Sequence, residues 1–305
     1  MASSFSTCIL PDGAKLAYEI LGSYNLGRSR PIILIPGMTM VRVDYERLTQ
    51  SLIRAHPVLI YDHRGMGNSS LTPPGNEEIS IELLAKDLVA LIKHVQWKEV
   101  ALVGYSMGGV VAQQMLVLPF HPTHPVSLPC HISHLVLACT RSVVHAETGL
   151  KVAPASVTLT REERIAAARR IVGACLDPNW IEQNTARFEY VFRRATNPLF
   201  NRPSPLIAKQ GAALKKFDFA DLLQNISRDV QIMVVHGQLD KVIPFYCGEE
   251  TQKLLPWARF IEKGDLPGQI PSMDFGHFWF EYFDIQVWHD AISKFVTTDS
   301  AVRSA

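Results

Sequence analysis

Residues 100–115, VALVGYSMGGVVAQQM, constrain the fold of this chain more than any other stretch. An apolar run leads directly into Gly104-Tyr105-Ser106-Met107-Gly108, and small and apolar residues at helical spacing follow. That pattern predicts a sharp strand-to-helix turn with a serine at its apex. Such a turn forces the serine into a strained backbone conformation at the carboxyl edge of a sheet, with Oγ exposed and a helix N-terminus behind it to favour negative charge. Glycine is expected at 104, 108 and 109, where side chains would collide with neighbouring backbone.

The rest of the chain agrees with a layered α/β fold. Residues 32–35, 57–61, 99–103, 135–138, 231–235 and 259–261 are short β-branched or apolar runs, several without alternation, as parallel strands buried on both faces require. Residues 14–21 alternate more and predict an antiparallel edge element. Between the runs, Ile81, Leu84, Ala85, Leu88, Leu91, Ile92 and Val95 fall on one helical face, which predicts an amphipathic helix over 80–95 with Lys86 and Asp87 facing water. Helices are also predicted over 43–55, 106–118, 247–255 and 277–296. From 141 to 217 no strand is predicted. Thr160 and Glu163 have the form of a capping box ahead of a helix over 164–174, and further helices are expected over 180–195 and 205–216.

The 305 residues could make two domains or one core with an insertion. With 30 Lys+Arg against 29 Asp+Glu there is no basic excess to drive nucleic-acid binding. No stretch reaches the roughly 18 apolar residues of a membrane span. The first ten residues do not read as a signal peptide, and the terminal Arg303-Ser304-Ala305 matches neither the peroxisomal nor the ER retention signal, so a cytoplasmic address is expected. Cys8, Cys130, Cys139, Cys175 and Cys247 are odd in number and scattered, which fits free, inert thiols in a reducing compartment.

Serine at its free pKa is a poor nucleophile, so a base and an orienting carboxylate are expected downstream. Asp240 follows the apolar run 231–235 in His236-Gly237-Gln238-Leu239-Asp240, and His277 follows in Asp274-Phe275-Gly276-His277, a mobile glycine-preceded loop. The expected catalytic set is Ser106, Asp240 and His277, each beyond a predicted strand. His236 competes for the base role but lies at a strand end.

These motifs resemble the α/β-hydrolase fold family from about Cys8 to Val296. Besides the serine turn, the Asp240 loop and the Gly-His segment, Asp62-His63-Arg64-Gly65-Met66-Gly67-Asn68-Ser69 is similar to the family's loop after the fourth strand. The resemblance implies a mostly parallel central sheet with helices on both faces. It implies a core of residues 1–140 and 218–305, and a helical cap or lid of 141–217. It also implies an oxyanion hole from the backbone N–H groups of Met107 and Met38, the latter in Ile35-Pro36-Gly37-Met38-Thr39, where Pro36 replaces the family's usual histidine. Because the donor is a backbone group, the hole should survive that change. Asp62 and Arg64 are expected to be structural, tying down loops under the site.

Family members that open epoxides or displace halide use aspartate as nucleophile, whereas serine points to acyl transfer. The expected function is hydrolysis of a small or medium carboxylic ester, thioester or lactone, with a small-molecule ester-like substrate as partner and neither cofactor nor metal. The same triad could instead serve a lyase, a C–C hydrolase or an acyltransferase, and the fold could serve a ligand receptor. His121, His124, Cys130, His131 and His134 loosely have zinc-site spacing, but the prolines among them favour a surface loop. Trp180, Phe188, Tyr190, Phe192 and Phe200 are expected to pack the cap or line an acyl pocket, and residues 264–273 to form a turn-rich loop.

Overall fold

A computed structural model describes residues 5–151 and 159–298; Arg303-Ser304-Ala305 lies outside them, as does part of the predicted insertion. The first half of the chain runs through β1 (Ser6–Ile9), β2 (Lys15–Leu21), β3 (Ile32–Ile35), α1 (Glu46–Leu52), β4 (Val58–Tyr61), α2 (Ile81–Val95), β5 (Glu99–Tyr105), α3 (Met107–Val117) and β6 (His131–Ala138). Four helices follow without a strand among the described residues: α4 (Arg161–Ala174), α5 (Pro178–Gln183), α6 (Thr185–Ala195) and α7 (Ser204–Ala213). The chain then returns through β7 (Gln231–Val235), α8 (Tyr246–Leu254), β8 (Arg259–Phe260) and α9 (Ile285–Thr297).

The eight strands form one sheet in the order β1-β2-β4-β3-β5-β6-β7-β8. The β1–β2 and β2–β4 pairs are antiparallel and the others parallel. Alternate side chains of a central strand enter different cores. Ile33 and Ile35 join α2 and α3 on one face, while Ile32 and Leu34 join α1 and α9 on the other. This two-sided burial explains why the central strands read as unbroken apolar runs.

The structure corrects several boundaries. The element over 14–21 is antiparallel but not at the edge, because β1 pairs outside it. Residues 43–55 divide into a 3-10 turn over Arg42–Tyr45 and the shorter α1. The helix expected over 180–195 breaks at Asn184, whose amide donates to the Trp180 carbonyl at 2.9 Å, leaving α5 and α6 on either side. The last helix starts only at Ile285, where the Asp284 side chain caps it by accepting from Gln286 N–H. His277 therefore stands in a loop, not in a helix. The predicted capping box at Thr160 and Glu163 is present at the start of α4.

Asp87 does not face water. It is buried on α2, where Arg64 grips it with two hydrogen bonds of 2.8 and 2.6 Å and also reaches Asp12 at 2.7 Å. Burial pushes the Asp87 carboxyl up, against the pull of the guanidinium. Asp62 does not pair with Arg64. Its oxygens accept from Arg42 N–H at 2.6 Å and Asn68 N–H at 2.9 Å, and Arg42 lays its guanidinium alongside. The two residues thus tie the 62–70 loop to different neighbours. Removing one partner of a buried pair strands the other charge, so Arg64→Met should cost about 3–5 kcal/mol in urea unfolding, and Arg64→Met with Asp87→Leu should recover most of it. A single-variant loss below about 1 kcal/mol would contradict a structural role for the pair.

Candidate active site

The serine turn has the predicted geometry. Ser106 adopts φ 52° and ψ −121° between β5 and α3, outside the ordinary regions for a side-chain-bearing residue. Its N–H donates to the Ala138 carbonyl at 2.9 Å, and its own carbonyl accepts from the Thr140 hydroxyl at 2.7 Å. A Cβ at Gly108 would lie 2.1 Å from the Ile35 carbonyl oxygen, and one at Gly104 would lie 2.7 Å from the Gly109 Cα. The start of α3 therefore rests directly on the end of β3, and only glycine permits that approach.

Asp240 leaves the carboxyl end of β7 and divides its two oxygens between tasks. Oδ1 accepts from the N–H groups of Val242 and Ile243, both at 2.9 Å, which fixes the loop. Oδ2 accepts from His277 Nδ1 at 2.8 Å, and His277 Nε2 lies 3.0 Å from Ser106 Oγ. A carboxylate only accepts, so the shared proton sits on Nδ1 and leaves Nε2 to receive the serine proton. All three side chains are buried, with Ser106 the most open at 7%.

The segment before His277 is pinned, not mobile. Gln238 N–H donates to the Met273 carbonyl at 2.8 Å, Leu239 N–H to the Phe275 carbonyl at 3.2 Å, and Phe278 N–H to the Cys175 carbonyl at 2.9 Å. The Tyr105 ring packs on the imidazole, 5.0 Å between centroids. His236 is directed elsewhere. Its Nε2 meets the Ile243 carbonyl at 2.8 Å, and burial pulls its imidazole below the ordinary range.

Among the described residues, the one group placed to hold a metal ion is Cys139, Asp240 and His277. It fits a metal poorly. Asp240 and His277 already share a hydrogen bond, and burial pushes the Cys139 thiol up, away from the thiolate a metal needs. The histidines of the 121–134 loop do not converge: His134 is buried in β6 and bonds the Thr298 carbonyl, whereas His121 stacks on His124.

The loop after β3 passes beside the serine. A Cβ on Gly37 would lie 3.2 Å from the Ser106 Cβ. Neither Met38 nor Met107 N–H has an acceptor among the described residues. Thr39 holds φ 70°, an unusual strain for a β-branched residue. Distant groups hold it there. Its N–H donates to Gln210 Oε1 at 3.3 Å, and Arg202 donates to its carbonyl at 2.5 Å while gripping Asp44 with two bonds of 2.8 Å. From beneath, His63 Nε2 donates to the Pro36 carbonyl at 2.9 Å. Sequence reading missed Gln210 and Arg202, which no spacing links to the motifs, and gave no role to His63, although it lies within the 62–69 motif.

A cleft of about 670 Å³ opens beyond this loop, walled by Thr39, Met40, Phe278 and Phe280 on one side and by α4, α6 and α7 on the other. Of the five aromatics expected to pack or line, Tyr190 and Phe200 line this cleft. Phe188 and Phe192 are buried under Arg169, and Trp180 packs on Tyr282.

Among known proteins, the alpha/beta hydrolase fold model matches residues 30–265, a span that includes Ser106 and Asp240 and ends before His277. The chain belongs to the α/β-hydrolase fold family. A stretch covering 36% of the chain is 33% identical over 110 residues to polyketide synthase ThaQ of Burkholderia thailandensis, and spans 5% of that much longer protein. The proline iminopeptidase PfmaB of Pestalotiopsis fici is 25% identical over 277 residues, covering 84% of this chain and 88% of that one. A hydrolase structure from Pseudomonas aeruginosa superposes with a TM-score of 0.71 at 25% identity, covering 98% of this chain and 100% of that one. No helix among the described residues is long and apolar enough to cross a membrane.

His63 makes the site sensitive to acid. Burial pulls its imidazole from 6.5 down to about 4, the Pro36 carbonyl offsetting only part, and its Nδ1 has no partner to receive a charge. Between those values the unfolded chain binds the proton and the folded chain does not. This stability is therefore complete above about pH 6.5 and is lost toward pH 4, by at most roughly 3 kcal/mol from His63. Urea unfolding from pH 7 to 4.5 should record the loss, and His63→Gln, which retains a donor for Pro36, should flatten it. Equal pH dependence in both proteins would exclude His63 as a source.

Proposed function

We propose that the protein is a serine hydrolase that cleaves a small or medium carboxylic ester through an acyl-enzyme on Ser106. The observation that carries this reading is the continuous chain from Asp240 through His277 to Ser106 Oγ, ending on a strained serine near two N–H groups that have no acceptor among the described residues. Ser106 Oγ attacks the ester carbonyl and passes its proton to His277 Nε2, while Asp240 stabilises the resulting imidazolium. The carbonyl oxygen becomes an oxyanion and accepts from the N–H groups of Met38 and Met107, each worth roughly 3 kcal/mol in comparable sites. Collapse breaks the C–O bond, and His277 returns the proton to the departing alcohol. Water then attacks the acyl-enzyme with His277 again as base, releasing the acid and restoring Ser106.

In this reading residues 141–217 are a cap over a core made of 1–140 and 218–305. The cap does more than cover: α7 supplies Gln210, which positions the loop carrying Met38. No step in this chemistry calls for a metal or cofactor, and the free N–H pair suits the charge that develops on an ester, thioester or lactone carbonyl.

Purified protein should turn over a short-chain 4-nitrophenyl ester and be labelled by a fluorophosphonate. Ser106→Ala should abolish labelling and lower turnover by on the order of a thousandfold or more; full labelling of that variant would sink the assignment. Gln210→Ala should lower kcat about tenfold, less than loss of a whole oxyanion donor, with a smaller change in KM. Gln210→Glu, which keeps an acceptor for Thr39 N–H, should recover part of the rate. A change confined to KM would mean that Gln210 acts on substrate binding and not on the loop.

A further inference from the structure

The cleft that reaches Thr39 and Phe278, the residues after Met38 and His277, carries an unbalanced charge. Six arginines and Lys151 line it, against three carboxylates, Asp44, Glu46 and Glu281. Each carboxylate is already matched. Glu281 takes two bonds from Arg187 at 2.7 and 2.8 Å, Asp44 takes two from Arg202 at 2.8 Å, and Glu46 pairs with Arg194.

Arg161, Arg164 and Arg170 remain. None has a carboxylate partner among the described residues, and Arg164 alone has a protein acceptor, the Leu159 carbonyl at 2.7 Å. The nearby acids do not answer them. Glu163 is held by the capping box with Thr160, and Glu189 is paired with Arg169, which does not line the cleft. In a chain whose formal net charge is only +1, this concentration of guanidinium groups is a local feature.

The surroundings suit a substrate with one charged end. Ile165, Ala168 and Ile171 of α4 line the cleft along with these arginines, and Met40, Phe278 and Phe280 line it from the core. The lining thus joins Met40 and Phe278, close in sequence to Met38 and His277, with the guanidinium groups of α4, and low-polarity walls strengthen the pull of those groups on an anion.

We infer that the ester substrate carries an oxyanionic group, a carboxylate or a phosphate, at the end remote from its scissile carbonyl, held by Arg164 and Arg170 with Arg161 beside them. The inference rests on the serine-hydrolase reading and names the substrate class for it. Guanidinium groups suit either oxyanion because their N–H fork matches both geometries.

The test compares two esters of similar length, mono-4-nitrophenyl glutarate and 4-nitrophenyl valerate. The anionic ester should have the higher kcat/KM by about tenfold at low salt, the effect of one charge-assisted contact, and the advantage should narrow in 0.5 M NaCl as screening grows. Arg164→Gln with Arg170→Gln should lower the ratio of the two kcat/KM values by about tenfold, whereas Arg169→Gln should leave the ratio unchanged. Free glutarate and inorganic phosphate, used as competitors, distinguish the carboxylate from the phosphate as the preferred anion. Equal or better turnover of the valerate ester, or a double variant with an unaltered ratio, would overturn the inference. If neither ester is cleaved and Ser106 resists the fluorophosphonate, the hydrolase reading fails separately. The cleft is then judged by calorimetry with glutarate and phosphate on the unmodified protein: binding lost in the double variant supports the anion site, and no binding of either overturns it.

Discussion

Everything at the candidate site depends on how closely α3 can lie on the sheet. The first turn of that helix rests on the carbonyl of Ile35, with no room for even a methyl group at Gly108. That contact places the serine, the helix N-terminus and the end of β3 within one small volume. The strain at Ser106 is tolerated because its backbone is fixed from both sides, by the Ala138 carbonyl and by the Thr140 hydroxyl.

A second layer of order lies beneath the first. The loop beside the serine is held by His63 from below, by Gln210 on α7 and by Arg202 just before it, while buried ion pairs at Asp62 and at Asp87 fasten the next loop. These groups touch no reacting atom. Their effect is to remove freedom from the groups that do, so that the site meets its substrate already arranged.

The parts legible in the sequence were those that depend on neighbouring residues. The strand-to-helix turn at Ser106, the capping box at Thr160 and the apolar runs of β3 and β7 each declare themselves within a dozen positions. The order Ser106, Asp240, His277 was readable because each follows a strand, and in a parallel sheet those ends gather on one side. What escaped depends on tertiary partners. Asp87 looked solvent-facing because helical spacing cannot reveal that Arg64 approaches from another loop. The break at Asn184 needed an amide that competes for the Trp180 carbonyl, and β1 was too short and too exposed to stand out. Gln210 is 171 positions from Thr39, beyond the reach of any local pattern.

The hydrogen bond between Ser106 and His277 also spans 171 positions of chain. Such a closure is slow, because chain entropy must be lost before the contact can form. It also has a direction during synthesis: the serine turn leaves the ribosome long before the residues that complete it. A growing chain therefore presents the serine turn before the imidazole that bonds it has been made. The Ser106–His277 hydrogen bond is thus a mark of completed assembly.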